Sequence, residues 1–89
     1  MPKYMVEMSH TQRECVWALK TLLDGAPSFL AQFDWGCQDG EHIGWAIVEA
    51  ENKFHAQELV PVSLRPKTRI LELSQFTPEQ VRALREAPL

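Results

Sequence analysis

The stretch from residue 33 to residue 45 contains two apolar segments rich in β-forming residues, separated by Asp39 and Gly40. An Asp-Gly pair between two such segments is the strongest short-range indication of a β-hairpin, because a tight turn requires a positive φ that glycine adopts without strain. We therefore predict a two-residue turn here, with strands over about residues 29 to 36 and 42 to 50. This hairpin constrains the arrangement of every other element.

The register of the hairpin decides which side chains share a face of the sheet. A two-residue turn pairs Cys37 with His42, Trp35 with Gly44, Phe33 with Ala46 and Ala31 with Val48. Large residues stand beside small ones on this side, so we predict that helices cover it. A three-residue loop with Gly40 in a bulge would exchange the two faces.

Three helices and two further strands are predicted around the hairpin. Capping boxes, in which a hydroxyl and a Glu or Gln stand three residues apart, occur at Ser9 with Gln12, Thr11 with Glu14 and Thr77 with Gln80. The predicted elements are a strand over residues 3 to 8, a helix from residues 10–12 to Gly25, the hairpin, a helix from Asn52 to Val60, a strand over residues 68 to 74 and a helix from Thr77. This order predicts an α+β, ferredoxin-like βαββαβ fold: a four-stranded antiparallel sheet with both main helices on one face, plus a short C-terminal helix.

Over residues 3 to 76 the chain resembles the dimeric α/β-barrel proteins. The resemblance rests on this order of elements, on the strand lengths and on the final strand from Thr68 to Ser74. These ferredoxin-like families include muconolactone isomerases, antibiotic-biosynthesis-type monooxygenases and stress-responsive barrel proteins. The resemblance implies the fold and a homodimeric α/β barrel, with a cavity between sheet and helices. It supplies no catalytic motif that can be placed residue by residue on this chain.

The composition of the chain limits the classes of protein to which it can belong. The 89 residues suffice for a single domain over residues 1 to 89, and 45% of them are hydrophobic, which is ample for a core. The formal net charge is −3 and only residues 65 to 69 are locally basic, so we expect no nucleic acid partner. No segment has the apolar length of a secretion signal or a membrane span, which predicts a cytoplasmic protein with no membrane partner. Cys15 and Cys37 are expected to be free thiols.

The side of the sheet opposite the helices carries a Trp and several aliphatic residues. If the fourth strand turns Leu71 inward, this open face holds Met5, Trp45, Ile47 and Ile70. Burying a Trp or Ile side chain contributes about 1.5 to 3 kcal/mol each, so we predict that a second copy of the chain covers them. We therefore expect a homodimer.

The candidate ligand-binding residues lie on this face and at the end of the first strand; they are Glu7, His10, Asp34, Trp45 and Glu72. Carboxylates that converge on a partly apolar pocket have raised pKa values, which suits proton transfer. Alternatively, they lie at the rim of the sheet or pair with the cations of residues 65 to 69. His10 is placed to act as a base near pH 7 or simply to shape the start of the helix. Catalytic residues stay unassigned.

Cys37 and His42, opposite each other in the predicted hairpin, resemble half of a metal site, because thiolate and imidazole both bind zinc. Two ligands are too few, and no Cys-x-x-Cys or His-x-x-x-His pair completes a set of four, since His55 belongs to another element. We therefore predict a buried thiol beside a structural histidine, with no metal site and no cofactor.

Together these observations predict a small homodimeric α/β barrel that binds a small organic ligand near Trp45. The resemblance implies an isomerase- or monooxygenase-like activity without a cofactor, but whether the protein is an enzyme stays open. The alternative is a non-enzymatic dimerisation or protein-interaction module, in which the partner covers the whole open face. Room for a ligand between two copies favours the first hypothesis, and close packing favours the second.

Overall fold

Four strands form one antiparallel sheet. They are β1 (Lys3–Ser9), β2 (Asp34–Trp35), β3 (Ile43–Glu49) and β4 (Thr68–Leu73), in the spatial order β2-β3-β1-β4. Alternate residues of β1 are buried, as expected for a central strand with one covered face. The computed structural model describes residues 1 to 85, so residues 86 to 89 of the predicted domain lie outside the described part.

Three helices cover one face of this sheet: α1 (Cys15–Gly25), α2 (Pro27–Leu30) and α3 (Lys53–Glu58). A fourth helix, α4 (Pro78–Ala83), follows β4 and contains no buried residue. Side chains of α1, α2 and α3, among them Leu22, Phe29 and Ala56, are buried with Val6 and Val48 in one core. The protein is therefore α+β with a four-stranded antiparallel sheet, and its strand order is consistent with the predicted ferredoxin-like arrangement.

Two of the predicted capping boxes are formed. Thr11 and Glu14 exchange side-chain and backbone hydrogen bonds at the turn before α1, and Thr77 and Gln80 do so at the start of α4. Thr11, rather than Ser9, is thus the residue that caps the first turn. Each box satisfies amide groups that the first helical turn leaves without partners, which fixes where the helical backbone begins.

The second strand is much shorter than predicted. The expected strand over residues 29 to 36 is reduced to Asp34–Trp35, because residues 27 to 30 form α2 instead. Pro27 stands in the first turn of α2, where its fixed φ suits a helix and its missing amide hydrogen costs nothing. The apolar run that suggests a strand is therefore divided between a helix and a strand.

The predicted register of the hairpin is confirmed, but its two-residue turn is wrong. Asp34 pairs with Trp45 and Trp35 with Gly44. The chain then makes a 3-10 turn over Cys37–Asp39, and Gly40 adopts a φ of 90°. The amide of Glu41 donates to the carbonyl of Gly36 at 3.0 Å, closing a longer loop over residues 36 to 42. Both ends of this loop keep the register that a tight turn would give.

The predicted orientation of the fourth strand is also wrong. Ile70 pairs with Val6 and is buried among the helices, while Glu72 pairs with Tyr4 on that same covered side. Leu71 instead lies on the open face and is 41% exposed. Hydrophobic residues occupy both faces of β4. The alternation of apolar and polar residues therefore allows two orientations of this strand, which differ by a shift of one residue in its pairing register.

The open face carries Trp45 and Ile47 beside charged residues such as Glu7, as the hairpin register predicted. Trp45 is half-buried there and its Nε1 donates to Glu7 Oε1 at 3.2 Å. Ile47 beside it is 55% exposed, and Leu73 at the other edge is 38% exposed. The described part of the chain thus leaves a continuous apolar strip uncovered across β3, β1 and β4.

Candidate metal centre

Four side chains with metal-ligating atoms meet at one end of the sheet, on its helix-covered side. His10 follows directly after β1, and Cys15 is the first residue of α1. Cys37 and His42 stand at the two ends of the loop between β2 and β3. The site therefore joins two chain segments that are distant in sequence.

Local hydrogen bonds bring these segments together. The amide of His10 donates to the carbonyl of His42 at 3.0 Å, which ties the end of β1 to the start of β3. The Thr11–Glu14 capping box then turns the chain at once into α1, so that Cys15 lies within reach of His10. Backbone geometry, rather than the metal-ligating side chains, sets this corner.

The loop over residues 36 to 42 closes with the bonding pattern of a Schellman motif. The amide of Glu41 donates to Gly36 and that of Gly40 donates to Cys37, at 3.0 and 3.1 Å. Gly40 supplies the left-handed conformation that this motif requires. The amide of Gly36 also donates to the carbonyl of Ile43 at 2.9 Å, which continues the β2–β3 ladder to the base of the loop. The loop consequently holds Cys37 and His42 on the same side.

The ligand atoms of His10, Cys15, Cys37 and His42 all lie within 4.8 Å of one another. Within the cluster, Cys37 Sγ lies 3.4 Å from His10 Nε2. In a tetrahedral zinc site with Zn–S of about 2.3 Å and Zn–N of about 2.0 Å, neighbouring ligand atoms are roughly 3.3 to 3.8 Å apart. Four ligand atoms at this spacing fit a Zn²⁺ ion after small side-chain adjustments.

Both imidazoles carry a buried nitrogen that has no hydrogen-bond partner among the described residues: Nδ1 of His10 and Nδ1 of His42. The two rings lie 5.4 Å apart in an edge-to-face arrangement. A buried polar atom without a partner costs about 1 to 3 kcal/mol, so native proteins rarely contain two side by side. An ion bound through Nδ1 would supply this partner, whereas the contact of His10 with Cys37 is made by Nε2.

The electrostatic surroundings favour the protonation state of histidine that binds metals. Burial lowers the pKa of His10, and the neighbouring His42 and Lys67 lower it further against the opposing effect of Glu14. His10 is therefore a neutral imidazole at pH 7. Burial first, and then the adjacent Cys15 thiol, raise the pKa of Cys37, so a bound cation would displace a proton from this sulfur.

Aromatic side chains close one side of the cluster. The Trp35 ring lies 5.8 Å from that of His10 and stacks on Phe33, with ring centroids 5.0 Å apart. Gly44 makes room for this indole, because a Cβ at that position would lie 2.4 Å from two Trp35 ring atoms. The other side is open: both sulfurs line a groove of about 510 Å³ whose walls include Leu19, Phe33 and Trp35.

The residues predicted to bind an organic ligand are only partly brought together. Glu7, Asp34 and Trp45 meet on the open face, where Asp34 and Trp45 line a shallow groove of about 340 Å³. His10 lies on the opposite side of the sheet, in the metal-ligating cluster. Glu72 is on the covered side beside Tyr4, whose pKa is raised by burial and then by this carboxylate.

Glu7 has two partners that bear on its predicted proton-transfer role. It accepts from Trp45 and pairs with Arg69, whose Nη2 lies 3.2 Å from Glu7 Oε2. This pairing agrees with the alternative in which the carboxylates of the sheet associate with cations of residues 65 to 69. Both carboxylate oxygens of Glu7 therefore have partners on the sheet.

Sequence reasoning identified half of the metal-ligating cluster. The sequence pairs Cys37 with His42, but two ligands are too few and no Cys-x-x-Cys or His-x-x-x-His pair completes a set of four. The structure adds His10 and Cys15. A signal was present, since His10 and Cys15 are separated by four residues and Cys37 and His42 are also separated by four. Two His/Cys pairs of equal spacing indicate a four-ligand site only once the fold brings them together.

Comparison of the chain with known protein families, with curated proteins and with solved structures found no match. None of the helices within residues 1 to 85 combines the length and the apolar character needed to cross a bilayer.

Proposed function

We propose that this protein is a zinc-binding domain in which His10, Cys15, Cys37 and His42 hold one Zn²⁺ ion. The observation that carries this proposal is the meeting of four ligand atoms within 4.8 Å of one another. An ion bound through Nδ1 would also satisfy the two buried imidazole nitrogens that lack partners among the described residues.

The donor set favours zinc over other common ions. Two thiolates and two imidazoles in a tetrahedral arrangement suit Zn²⁺, whereas Mg²⁺ and Ca²⁺ prefer oxygen ligands. Four protein ligands leave no coordination position for a substrate, which is the pattern of structural rather than catalytic zinc sites. The proposed role of the ion is to hold the corner between β1 and α1 against the β2–β3 loop.

The β2–β3 loop at this corner is held by backbone hydrogen bonds rather than by buried side chains. β2 has only two residues, and the 3-10 turn that follows it, Cys37–Asp39, contains no buried residue. A chain of 89 residues buries a smaller share of its surface than a larger domain, so a metal can contribute a large part of its stability. Zinc binding is expected to order the loop over residues 36 to 42 above all.

The proposal is tested by zinc titration of the reduced, metal-free protein in competition with a chromophoric chelator. We expect one zinc per chain in the wild type. Removing a ligand in His42→Ala or Cys37→Ser should weaken binding on the order of a hundredfold or more, since even residues that only orient ligands are worth 10- to 100-fold. Circular dichroism establishes that each variant is folded.

His55→Ala is the matched control for His42→Ala. His55 lies on α3, is half exposed, and pairs only with Glu51 among the described residues, at 3.5 Å. Its replacement should leave zinc affinity unchanged. A wild type that binds no zinc, or an equal loss of affinity in both histidine variants, would contradict the proposal.

A second candidate function concerns the opposite side of the sheet. We propose that two copies associate through the open face and that the groove beside Trp45 and Asp34 takes a small organic ligand. The exposed Ile47, Leu71 and Leu73 support association, because apolar strips of this kind mark interfaces. Enzymatic turnover forms no part of this proposal, since Glu7 is already paired with Arg69.

A further inference from the structure

Cys15 and Cys37 line an open groove, whereas His10 and His42 are not among its lining residues. Both cysteines are half-buried and line the groove of about 510 Å³, whereas His10 is only 8% exposed. Ligands of a purely structural site are expected to be enclosed on all sides. Here the two oxidisable groups are the ones that a small molecule can reach.

We propose that a hydroperoxide reacts in this groove and converts Cys15 and Cys37 into a disulfide, which releases the zinc. The proposal rests on the zinc site proposed above and adds its regulation: the cluster holds the ion when reduced and loses it when oxidised. The walls formed by Leu19, Phe33 and Trp35 are apolar, so the groove accepts an organic hydroperoxide as well as hydrogen peroxide.

The chemistry balances with no further reactant. One cysteine sulfur attacks the distal oxygen of the hydroperoxide, the O–O bond breaks, and the alcohol, or water, leaves with a proton. The resulting sulfenic acid is attacked by the second sulfur, which forms the S–S bond and expels water. In the zinc-loaded protein the two sulfurs are thiolates, so the alcohol and the water take two protons from solvent. The two thiolates lose two electrons in total, and the hydroperoxide takes both.

The geometry places the second sulfur close enough to resolve the sulfenic acid. The two Sγ atoms lie within 4.8 Å of each other. A disulfide needs about 2 Å, and rotation of one cysteine χ1 by one staggered well moves its Sγ by about 3 Å. The two sulfurs therefore need to approach each other by no more than about 3 Å. Two of the four ligands are consumed, and the two imidazoles that remain are too few to retain the ion.

The test exposes zinc-loaded protein, freed of reductant, to hydrogen peroxide or to cumene hydroperoxide in parallel. Released zinc is followed with a chromogenic chelator, and the product by intact mass and peptide mapping. We expect one zinc released per chain, with an intramolecular Cys15–Cys37 disulfide as the product and recovery of binding after reduction. A faster reaction with cumene hydroperoxide assigns the groove to organic hydroperoxides; a faster reaction with hydrogen peroxide assigns it to that oxidant.

The variant His42→Ala separates this inference from the zinc site. It keeps both cysteines, so the disulfide should still form even though zinc affinity is lost. In Cys15→Ser the oxidation should stop at a sulfenic acid on Cys37, which a dimedone probe detects. If the wild type binds zinc but oxidation gives only sulfinic acids or disulfides between chains, the switch is refuted while the zinc site stands. If the wild type binds no zinc, the proposed function itself falls.

Discussion

At the scale of single residues, Gly44 decides where Trp35 can lie. The indole rests directly on the backbone of β3 at this position, and from there it packs against His10 and Phe33. A methyl group at residue 44 would overlap the ring, so Trp35 would have to move away from the cluster. The metal-ligating corner therefore depends on a residue that has no side chain.

We predict that Gly44→Ala lowers the free energy of unfolding by about 1 to 3 kcal/mol, the range for overpacking a well-packed site. Gly25→Ala is the control, because a Cβ there makes only ordinary contacts, the nearest at 3.6 Å to Pro61. Urea unfolding of both variants gives the comparison. Equal stability of the two would show that Trp35 is not held as described.

Glu14 links the metal-ligating corner to Lys67, the residue that precedes β4. Its Oε2 lies 2.7 Å from Lys67 Nζ, and its Oε1 accepts from the amide of Thr11 at 2.9 Å. The Lys67 ammonium, followed by the Thr11 amide, lowers the pKa of Glu14 from 4.5 to about 2. A carboxyl whose pKa is lower in the folded state stabilises the protein above its unfolded pKa and loses this effect as the pH falls toward 2.

We therefore predict that Glu14→Gln is less stable than the wild type at pH 7 and that the difference disappears as the pH falls from about 4.5 toward 2. Metal-free protein is used, so that ligand protonation does not enter the comparison, and denaturant unfolding is measured across this range. Glu79→Gln serves as control, since Glu79 is 78% exposed and pairs only weakly with Arg82. A difference that stays constant with pH would contradict the assignment.

At the scale of elements, α4 stands apart from the rest of the fold. Its capping box is complete, yet within the described residues none of its side chains is buried. Phe76, Val81 and Leu84 are each about half exposed. A helix this short gains little stability from its own hydrogen bonds, so it contributes almost nothing to the core of a single chain.

We predict that deleting residues 76 to 89 changes the free energy of unfolding of the monomer by less than about 0.5 kcal/mol. Val60→Ala is the comparison, because Val60 is 1% exposed and truncating a core residue should cost about 1 to 3 kcal/mol. Both are measured by urea unfolding at low protein concentration. A deletion as costly as Val60→Ala would mean that α4 packs onto the domain.

The sequence predicted those features of the fold that depend on residues close together in the chain. The capping boxes at Thr11 and Thr77 were readable because hydroxyl and acceptor lie three residues apart, and Gly44 was readable because a small residue must face Trp35. The extent of β2 could not be predicted in this way, because a short apolar run suits a buried helix as well as a strand. The cluster at His10 was missed for another reason: it requires the β1–α1 corner to meet the β2–β3 loop, which is a property of the fold.

At the scale of the whole molecule, the open face is the largest unexplained feature of a single chain. Its aliphatic residues lie on three adjacent strands and face away from the helices. The proposed two-fold association would cover them and leave the zinc cluster, which lies on the other side of the sheet, unobstructed. The two proposed functions are therefore independent and can be tested one at a time.

We predict that the wild type has twice the 10.2 kDa mass of the chain in solution and that Ile47→Asp reduces it to the monomer. Burying an unpaired carboxylate in an interface costs on the order of 2 to 5 kcal/mol, which is enough to dissociate a dimer of moderate affinity. Val62→Asp is the matched control, as Val62 is 72% exposed and lies outside the sheet. The mass in solution is measured by sedimentation equilibrium, and a monomeric wild type would exclude the association.

X-ray absorption spectroscopy at the zinc edge of the loaded protein examines the cluster most directly. We predict two sulfur neighbours at about 2.3 Å and two imidazole nitrogens at about 2.0 Å. A shell made only of oxygen and nitrogen, or a protein that retains no zinc after gel filtration, would contradict the assignment of His10, Cys15, Cys37 and His42 as a metal centre.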